Sequence, residues 1–364
     1  MDIQTLDRLP TAMPAMPVTL QTAIEPCWHE VLRQTLAPEH EATGLSGLDA
    51  VHLEHDALPE LDFEDIHLDA HAFGQATATP FYVVGLNAGH PEAFELNRRL
   101  ARACARRGWA MGLSSQHRQP GGPADLAAAV SQWQRLRDAA PELLLIGSLS
   151  LSQVVATPLA LLRRLMQSAQ AQALAVHLNA LQECLQPTGA PQFRGGLAAL
   201  RAVCEGLDVP VLLKETGCGF SARTLAKLPG LGLAALDVGG LGGTHWGRIE
   251  GGRAPEDSLQ AQAARTFAGW GESTVDSVRA AQRLVPEIET WASGGVRSGL
   301  DAAKLISLGA ERVGYAKPAI QAALWGDAAL DDWMAQQEQE LRMALFCSGA
   351  VSPAELRRLH GSRS

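Results

Sequence analysis

Eight short apolar or β-branched runs alternate with Ala-, Leu- and Arg-rich stretches of helical spacing through most of this chain. The runs predict buried strands, and they lie at 80–86, 109–113, 143–149, 173–178, 209–214, 234–238, 289–293 and 312–316. Because parallel strands need long crossovers, this alternation indicates an α/β protein with a parallel sheet. Eight is also the number of strands that closes a barrel, so we predict a (β/α)8 TIM barrel. A doubly wound open sheet is the alternative.

The rest of the chain is expected to frame this barrel. We predict an N-terminal arm and lead-in segment over residues 1–70 and the barrel over 71–364, ending in helices at 327–348 and 353–359. The longest interval between two strands is 244–285. Its glycines and proline predict a long loop in its first half, over the active face.

Composition and charge narrow the class of protein. The chain has 364 residues and a net charge of −9 without a Lys/Arg run, so nucleic acid is not an expected partner. No apolar run approaches the roughly 18 residues of a membrane span, and no signal peptide is evident. Six cysteines without a CxxC pair predict reduced thiols and a cytoplasmic protein.

The stretch His177-Leu178-Asn179-Ala180-Leu181-Gln182-Glu183 follows the fourth run. Alternation along a strand places His177 and Asn179 on one face, with Gln182 and Glu183 in the following loop. For His177 alone, a hydrogen-bonded core histidine is an open alternative. Four such polar side chains are costly in a core, however, and therefore indicate a functional site.

Glycine-rich segments follow the sixth and seventh runs, and a short turn follows the eighth. Glycine lets backbone N–H groups approach an anion, and phosphate sites in this fold are commonly built from the last two loops. Tight turns would explain one such loop more readily than three. We therefore predict a phosphate-bearing ligand, and FMN fits better than a dinucleotide because no GxGxxG follows the first strand.

Two charged residues at strand ends are further candidates. Lys214 ends the fifth run, where its ammonium could hold negative charge at the pyrimidine edge of a flavin; a surface ion pair is the alternative. Asp237 ends the sixth run, and we expect it to face the barrel interior or brace a neighbour. Cys218 is expected to be a small loop residue rather than a reactive thiol.

Taken together, these motifs resemble the type 2, FMN-dependent isopentenyl-diphosphate delta-isomerases. The resemblance covers about residues 44–350 and rests on HLNALQE, LLKETGCGFS, DVGGLGGTHWGRIE, WASGGVRSGLDAAKLISLGAERVGYAKP and ELRMALFCSGA. It implies a (β/α)8 barrel that interconverts isopentenyl diphosphate and dimethylallyl diphosphate by a 1,3-proton shift. It also implies reduced FMN, NADPH as the reductant, Mg2+, and a homo-oligomer, either tetramer or octamer.

The same resemblance assigns roles to individual residues. Catalytic roles fall on His177, Asn179, Gln182 and Lys214. The metal ligand is Glu183. Substrate contacts fall on Ser115, Gln116, His117 and Gln182. Cofactor contacts fall on Gly85, Leu86, Asn87, Ser115, Ser148, Lys214, Thr244, Gly294, Gly295, Val296, Ala316 and Lys317.

This chain departs from the family pattern where the substrate diphosphate is expected to bind. An Arg-Lys pair near the family's N-terminus corresponds here to Glu25-Pro26-Cys27-Trp28-His29, which has no lysine or arginine. The strand-two motif reads Ser115-Gln116-His117, with Arg118 one position late, and Ser148 stands where the family has Asn. Two alternatives therefore stay open: an FMN-dependent paralogue acting on another isoprenoid or a different substrate, and a binding protein that keeps only the fold.

Overall fold

The computed structural model describes residues 32–85, 93–113, 131, 133–186, 189 and 191–361. Its ten strands are β1 (Ala70–Ala72), β2 (Gln75–Thr77), β3 (Phe81–Val83), β4 (Ala110–Gly112), β5 (Leu145–Ser150), β6 (Ala173–Leu178), β7 (Val211–Glu215), β8 (Ala235–Asp237), β9 (Glu289–Ser293) and β10 (Arg312–Tyr315). Strands β3 to β10 form a closed parallel barrel in which β10 pairs with β3. The predicted (β/α)8 barrel is confirmed, and the open doubly wound sheet is excluded because the sheet closes.

Helices cover the outside of the barrel. Those with both ends inside the described ranges are α1 (Ala93–Arg107), α2 (Leu151–Ala156), α3 (Leu159–Ala169), α4 (Ala180–Leu185), α5 (Gly196–Gly206), α6 (Ala222–Leu225), α7 (Trp246–Arg253), α8 (Leu259–Thr266), α9 (Thr274–Leu284), α10 (Gly299–Ser307), α11 (Lys317–Leu324), α12 (Asp327–Cys347) and α13 (Pro353–Gly361). Short 3-10 turns lie at Pro38–His40, Leu48–Ala50 and Phe63–Asp65. No helix within the described ranges is long and apolar enough to cross a membrane.

The segment after β8 differs from the sequence-based expectation. The predicted loop in the first half of 244–285 is wrong, because α7 and α8 occupy it. Each helix begins at a side-chain cap: His245 accepts from the backbone N–H of Arg248 at 3.2 Å, and Ser258 accepts from that of Ala261 at 3.1 Å. Glycines inside α7 disfavour a helix in the local sequence pattern, so the helix was not predicted. Its cap and its packing define it instead.

The barrel is closed at the amino ends of its strands by the β1–β2 hairpin. Phe73, in the hairpin turn, packs on Trp291 with ring centroids 5.0 Å apart, and its N–H donates to the Glu289 carboxylate at 3.0 Å. The buried guanidinium of Arg312 lies 5.3 Å from the Trp291 ring and donates to Thr77 Oγ1 at 2.7 Å. Ligand sites in this fold lie at the carboxyl ends of the strands, opposite this filled end.

The segment before β1 runs across the opposite, carboxyl-end face. Backbone hydrogen bonds join Ala42 N–H to the Gly243 carbonyl at 2.9 Å and His245 N–H to the His40 carbonyl at 3.0 Å. Further on, Asp56 N–H donates to the carbonyl of Cys347 at 2.8 Å, at the end of α12. The lead-in segment therefore contributes residues to the face on which the candidate site lies.

Candidate active site

Inward-facing side chains change from apolar to polar toward the carboxyl ends of the barrel strands. Strand register places His177 beside Lys214 and Lys214 beside Asp237. The polar group consists of Tyr82, Ser148, His177, Lys214, Asp237 and Ser293. Below it lie Ile146, Ala175, Leu212 and Trp291, which form an apolar floor. The barrel therefore presents a cluster of hydrogen-bonding groups on a dry base, where electrostatic interactions are strong.

Asp237 is the centre of this polar cluster. Its side chain is 0% exposed, and its Oδ2 accepts hydrogen bonds from both the Tyr82 hydroxyl and the Lys214 ammonium. Its Oδ1 accepts from Ser293 Oγ at 2.8 Å and from the N–H of Gly239 at 3.2 Å. Four donors compensate the burial of one carboxylate, which is consistent with the predicted bracing role.

His177 lies on the neighbouring strand β6. Its Nδ1 is 3.1 Å from Ser148 Oγ, on β5. Burial, reinforced by the positive charge of Lys214, lowers the pKa of His177 to about 4. The imidazole is therefore neutral near pH 7, where it can both donate and accept a hydrogen bond.

This low pKa predicts a specific loss of stability in acid. Protonation of His177 favours the unfolded chain, so its penalty is absent above pH 6.5 and grows as the pH falls toward about 4. Over that window we expect the wild-type chain to lose roughly 2 kcal/mol more than His177→Asn, a value reduced for the part of the ring that is exposed. Urea unfolding at several pH values measures the difference. His55→Asn, at an exposed ring, should follow the wild type, and parallel curves for wild type and His177→Asn would contradict the assignment.

The predicted residues after β6 lie on a helix, so their expected placement in a loop is wrong. Asn179 ends the extended strand geometry and caps α4, its Oδ1 accepting from Gln182 N–H at 2.8 Å. Its Nδ2 donates to the Thr216 carbonyl at 3.0 Å, which ties the end of β6 to the loop after β7. The cap turns the chain back over the barrel, so Gln182 and Glu183 lie in the first turn of α4.

Gln182 belongs to a second polar group, beside the central cluster. Its Nε2 donates to Glu250 Oε1 at 3.2 Å, and the other oxygen of Glu250 accepts from Arg253 at 3.1 Å. Glu183, one residue further on, is half-buried. Across the described ranges, no group of three or more His, Cys, Asp or Glu side chains is arranged to hold a metal.

The glycine loops pack directly on one another. A Cβ atom on Gly294 would lie 2.2 Å from the Gly240 carbonyl oxygen, and one on Gly295 would lie 2.7 Å from that of Gly242. In the part of the chain that the structure describes, the backbone N–H groups of Gly295 and Val296 have no acceptor. They precede the N-terminus of α10. Free N–H groups before a helix fit the phosphate of FMN.

Two cations lie beside these glycine loops, and both contact Glu41 of the lead-in segment. The ammonium of Lys317 lies 2.5 Å from Glu41 Oε1, and the guanidinium of Arg297 lies 2.8 Å from Glu41 Oε2. Burial alone would raise the pKa of Glu41, but the hydrogen bonds from Lys317 and Arg297 outweigh it and lower the pKa. Glu41 is therefore an anion held beside the place where we expect another anion.

The other predicted site residues fall into four groups. The structure brings Ser148, His177 and Lys214 together. It places Thr244, Gly294, Gly295, Val296 and Ala316 on the adjoining loops and Lys317 at the start of α11. Gly85 is half-buried just beyond β3. Outside the described residues lie Leu86, Asn87, Ser115, Gln116 and His117.

Sequence reasoning missed three residues in contact with the predicted ones: Tyr82, Glu250 and Glu41. Each is more than 60 residues from its partner in the chain, so local patterns give no signal for the contact. Tyr82 was recoverable in part, since its strand position is inward-facing and only two tyrosines occur in the chain.

Comparison with known proteins agrees with this geometry. The FMN-dependent dehydrogenase family matches residues 194–362, which include the loops after β7 to β10. A mandelate oxidase variant superimposes with a TM-score of 0.62 at 18% identity, covering 90% of this chain and 92% of that one. A flavocytochrome b2 variant with sulfite bound gives 0.66 at 15%, covering 95% and 86%. At these identities the two structures establish the fold alone.

Relatives found by sequence share a much higher identity with this chain. The isopentenyl-diphosphate delta-isomerase of Legionella pneumophila (strain Lens) is 45% identical over 316 residues, 87% of this chain and 91% of that protein. The corresponding proteins of Bdellovibrio bacteriovorus and Halobacterium salinarum are 42% and 39% identical, over 89% and 88% of this chain and 94% and 89% of theirs. Fold and site define an FMN-dependent (β/α)8-barrel enzyme. Within that class, the chain belongs to the isopentenyl-diphosphate delta-isomerase family.

Proposed function

We propose that this chain interconverts isopentenyl diphosphate and dimethylallyl diphosphate by a 1,3-proton shift, with reduced FMN and Mg2+. The observation that carries the proposal is the polar cluster around Lys214 and His177, next to the free N–H groups of Gly295 and Val296. The phosphate of FMN would accept hydrogen bonds from these N–H groups, and its isoalloxazine ring would lie over the polar cluster. When bound, reduced FMN supplies the acid–base chemistry of the proton shift.

The protein residues then bind and orient the flavin and the substrate, and they exclude water. Lys214 would supply positive charge to the pyrimidine edge of the flavin. Neutral His177 and the amide of Gln182 orient the alkene end of the substrate. The side chain of Asn179 already makes two hydrogen bonds, one as the cap of α4 and one to the Thr216 carbonyl. Asn179 therefore acts by fixing the position of Gln182.

Mg2+ would be held by the Glu183 carboxylate together with diphosphate oxygens. A hard cation that keeps several waters and binds through one carboxylate plus phosphate fits this donor set. The half-buried position of Glu183 on the first turn of α4, next to Gln182, supports the role. NADPH as reductant completes the proposed cofactor set.

The direct test is turnover by the FMN-loaded, reduced protein. Isopentenyl diphosphate and Mg2+ in heavy water should give dimethylallyl diphosphate with deuterium incorporation, followed by NMR. Bound FMN without isomer and without deuterium uptake would refute the proposal.

A second candidate is an FMN-dependent paralogue with another substrate. It is favoured by the pairing of Lys317 and Arg297 with Glu41, which lowers the net charge of this group from +2 to +1, together with the absence of an Arg-Lys pair at 25–29. FMN-loaded protein whose melting temperature does not rise with isopentenyl diphosphate would support it.

We further propose that the protein is cytoplasmic and forms a homo-oligomer. Residues 1–70 would be the arm and lead-in segment, and residues 71–364 the barrel unit. The exposed side chains of Trp270 and Phe267 support a subunit contact.

Replacing Glu41 with Gln should strengthen the phosphate contribution to flavin binding. The carboxylate and the phosphate compete for Lys317 and Arg297, and the amide removes the charge at nearly constant size. We expect the preference for FMN over riboflavin, which lacks the phosphate, to rise roughly 3- to 10-fold. Fluorescence titration with both flavins gives the ratio. Glu39→Gln, at an exposed neighbour, is the matched control, and an unchanged or lower ratio in Glu41→Gln would show that the two anions do not compete.

A further inference from the structure

The Asp237 carboxylate joins Lys214 to a residue from the other side of the barrel. Tyr82 lies on β3, whereas Lys214 lies on β7, and both donate to the same oxygen, Oδ2. The phenol and the ammonium therefore share one acceptor. A change in the bond from Tyr82 changes the charge that Asp237 offers to Lys214.

The Tyr82 ring is held rigidly. It is 2% exposed and packs on Trp291 with ring centroids 5.0 Å apart. A Cβ atom on Gly314, the β10 residue opposite Tyr82, would lie 2.4 Å from the ring, so the ring fills the space of a missing side chain. The hydroxyl is consequently held over Asp237, with Ser293 as its other hydrogen-bonding neighbour.

Lys214 retains one donor for a ligand. An ammonium has three N–H bonds, and within the described residues Lys214 donates to two acceptors, Asp237 Oδ2 and Ser293 Oγ at 3.2 Å. The side chain is nearly buried below the open end of the barrel. Its third N–H is the one available to an acceptor above the polar cluster.

We propose that Tyr82 is a positioning residue that acts through Asp237 on Lys214 and thereby sets how strongly this site prefers reduced FMN. The inference rests on the proposed function, which places the pyrimidine edge of FMN over Lys214. Reduced flavin carries more negative charge at that edge than oxidised flavin, so a nearby ammonium stabilises it selectively. The Tyr82 hydrogen bond disperses charge on Asp237, which leaves the ammonium less tightly held and more available to the flavin.

The test is the ratio of the dissociation constants for oxidised and reduced FMN, measured anaerobically on wild type and Tyr82→Phe. Without the phenol, Asp237 binds Lys214 more tightly, and we expect the preference for reduced FMN to fall roughly 3- to 10-fold. Tyr315→Phe is the matched control. Tyr315 is the only other tyrosine and is fully buried, but its hydroxyl donates to the Ser298 carbonyl at 3.1 Å, outside the barrel. A Tyr82→Phe ratio equal to that of Tyr315→Phe would overturn the proposal.

Uniform replacement of the two tyrosines by 3-fluorotyrosine provides an independent test should Tyr82→Phe not fold. The fluorinated phenol is more acidic and of nearly the same size, so it should donate more strongly to Asp237 and raise the preference for reduced FMN; an unchanged ratio would again overturn the inference. Failure of the proposed function is seen separately. It would appear as wild-type protein that binds no FMN, which overturns both proposals, or as FMN-loaded protein that does not isomerise, which leaves the ratio test intact.

Discussion

Replacing Asp237 with Ala is expected to lower the free energy of unfolding by roughly 3–5 kcal/mol. The substitution leaves the Lys214 ammonium buried without its counter-ion and also removes the acceptor of the Tyr82 hydroxyl. An uncompensated buried charge costs much more than the loss of one hydrogen bond. Urea unfolding at neutral pH measures the change. Asp332→Ala, an exposed aspartate on α12, should stay within about 0.5 kcal/mol of wild type.

A second substitution separates the charge effect from a cavity effect. In Asp237→Ala combined with Lys214→Met, no buried charge remains without a partner, and the double variant should recover about half of the lost stability or more. Equal destabilisation of the single and double variants would show that the carboxylate matters for packing alone. That outcome would remove the electrostatic basis of the link between Asp237 and Lys214.

Replacing Glu183 with Gln should have the largest effect on turnover. If Glu183 holds Mg2+ against the diphosphate, we expect kcat/KM at fixed Mg2+ to fall roughly 100-fold, with partial recovery when Mg2+ is raised. FMN affinity should not change, because the glycine loops and the polar cluster are intact. Isomer formation across a Mg2+ titration provides the measurement. Glu205→Gln, exposed on α5, is the matched control, and an unchanged Mg2+ dependence in Glu183→Gln would assign the metal elsewhere.

The barrel was predictable because its signals are local. Buried strands of five or six residues carry enough apolar and β-branched side chains to be identified, and the predicted bounds 173–178 and 289–293 coincide with β6 and β9. Closure followed from the count of strands. The polar strand ends were predictable for a related reason, since His177, Lys214 and Asp237 interrupt apolar runs.

What could not be predicted depends on capping and on distance in the chain. Gln182 and Glu183 lie on a helix because Asn179 supplies a cap, and the same residue was interpreted as a strand-face side chain. Glu41 reaches Lys317 only because the lead-in segment crosses the carboxyl-end face. No periodic pattern in the sequence predicts either contact.

The closure of the barrel also governs when the chain can complete its fold. The ring joins β3 to β10, and the hydrogen bond from Arg312 to the Phe81 carbonyl spans 231 residues of sequence. Contacts between residues so far apart in the chain form late. The chain loses the entropy of closing the long intervening loop before these contacts begin to stabilise it. During synthesis, β3 therefore waits with one unpaired edge until β10 has emerged, and a chain cut before residue 312 would keep two open strand edges, which favour aggregation.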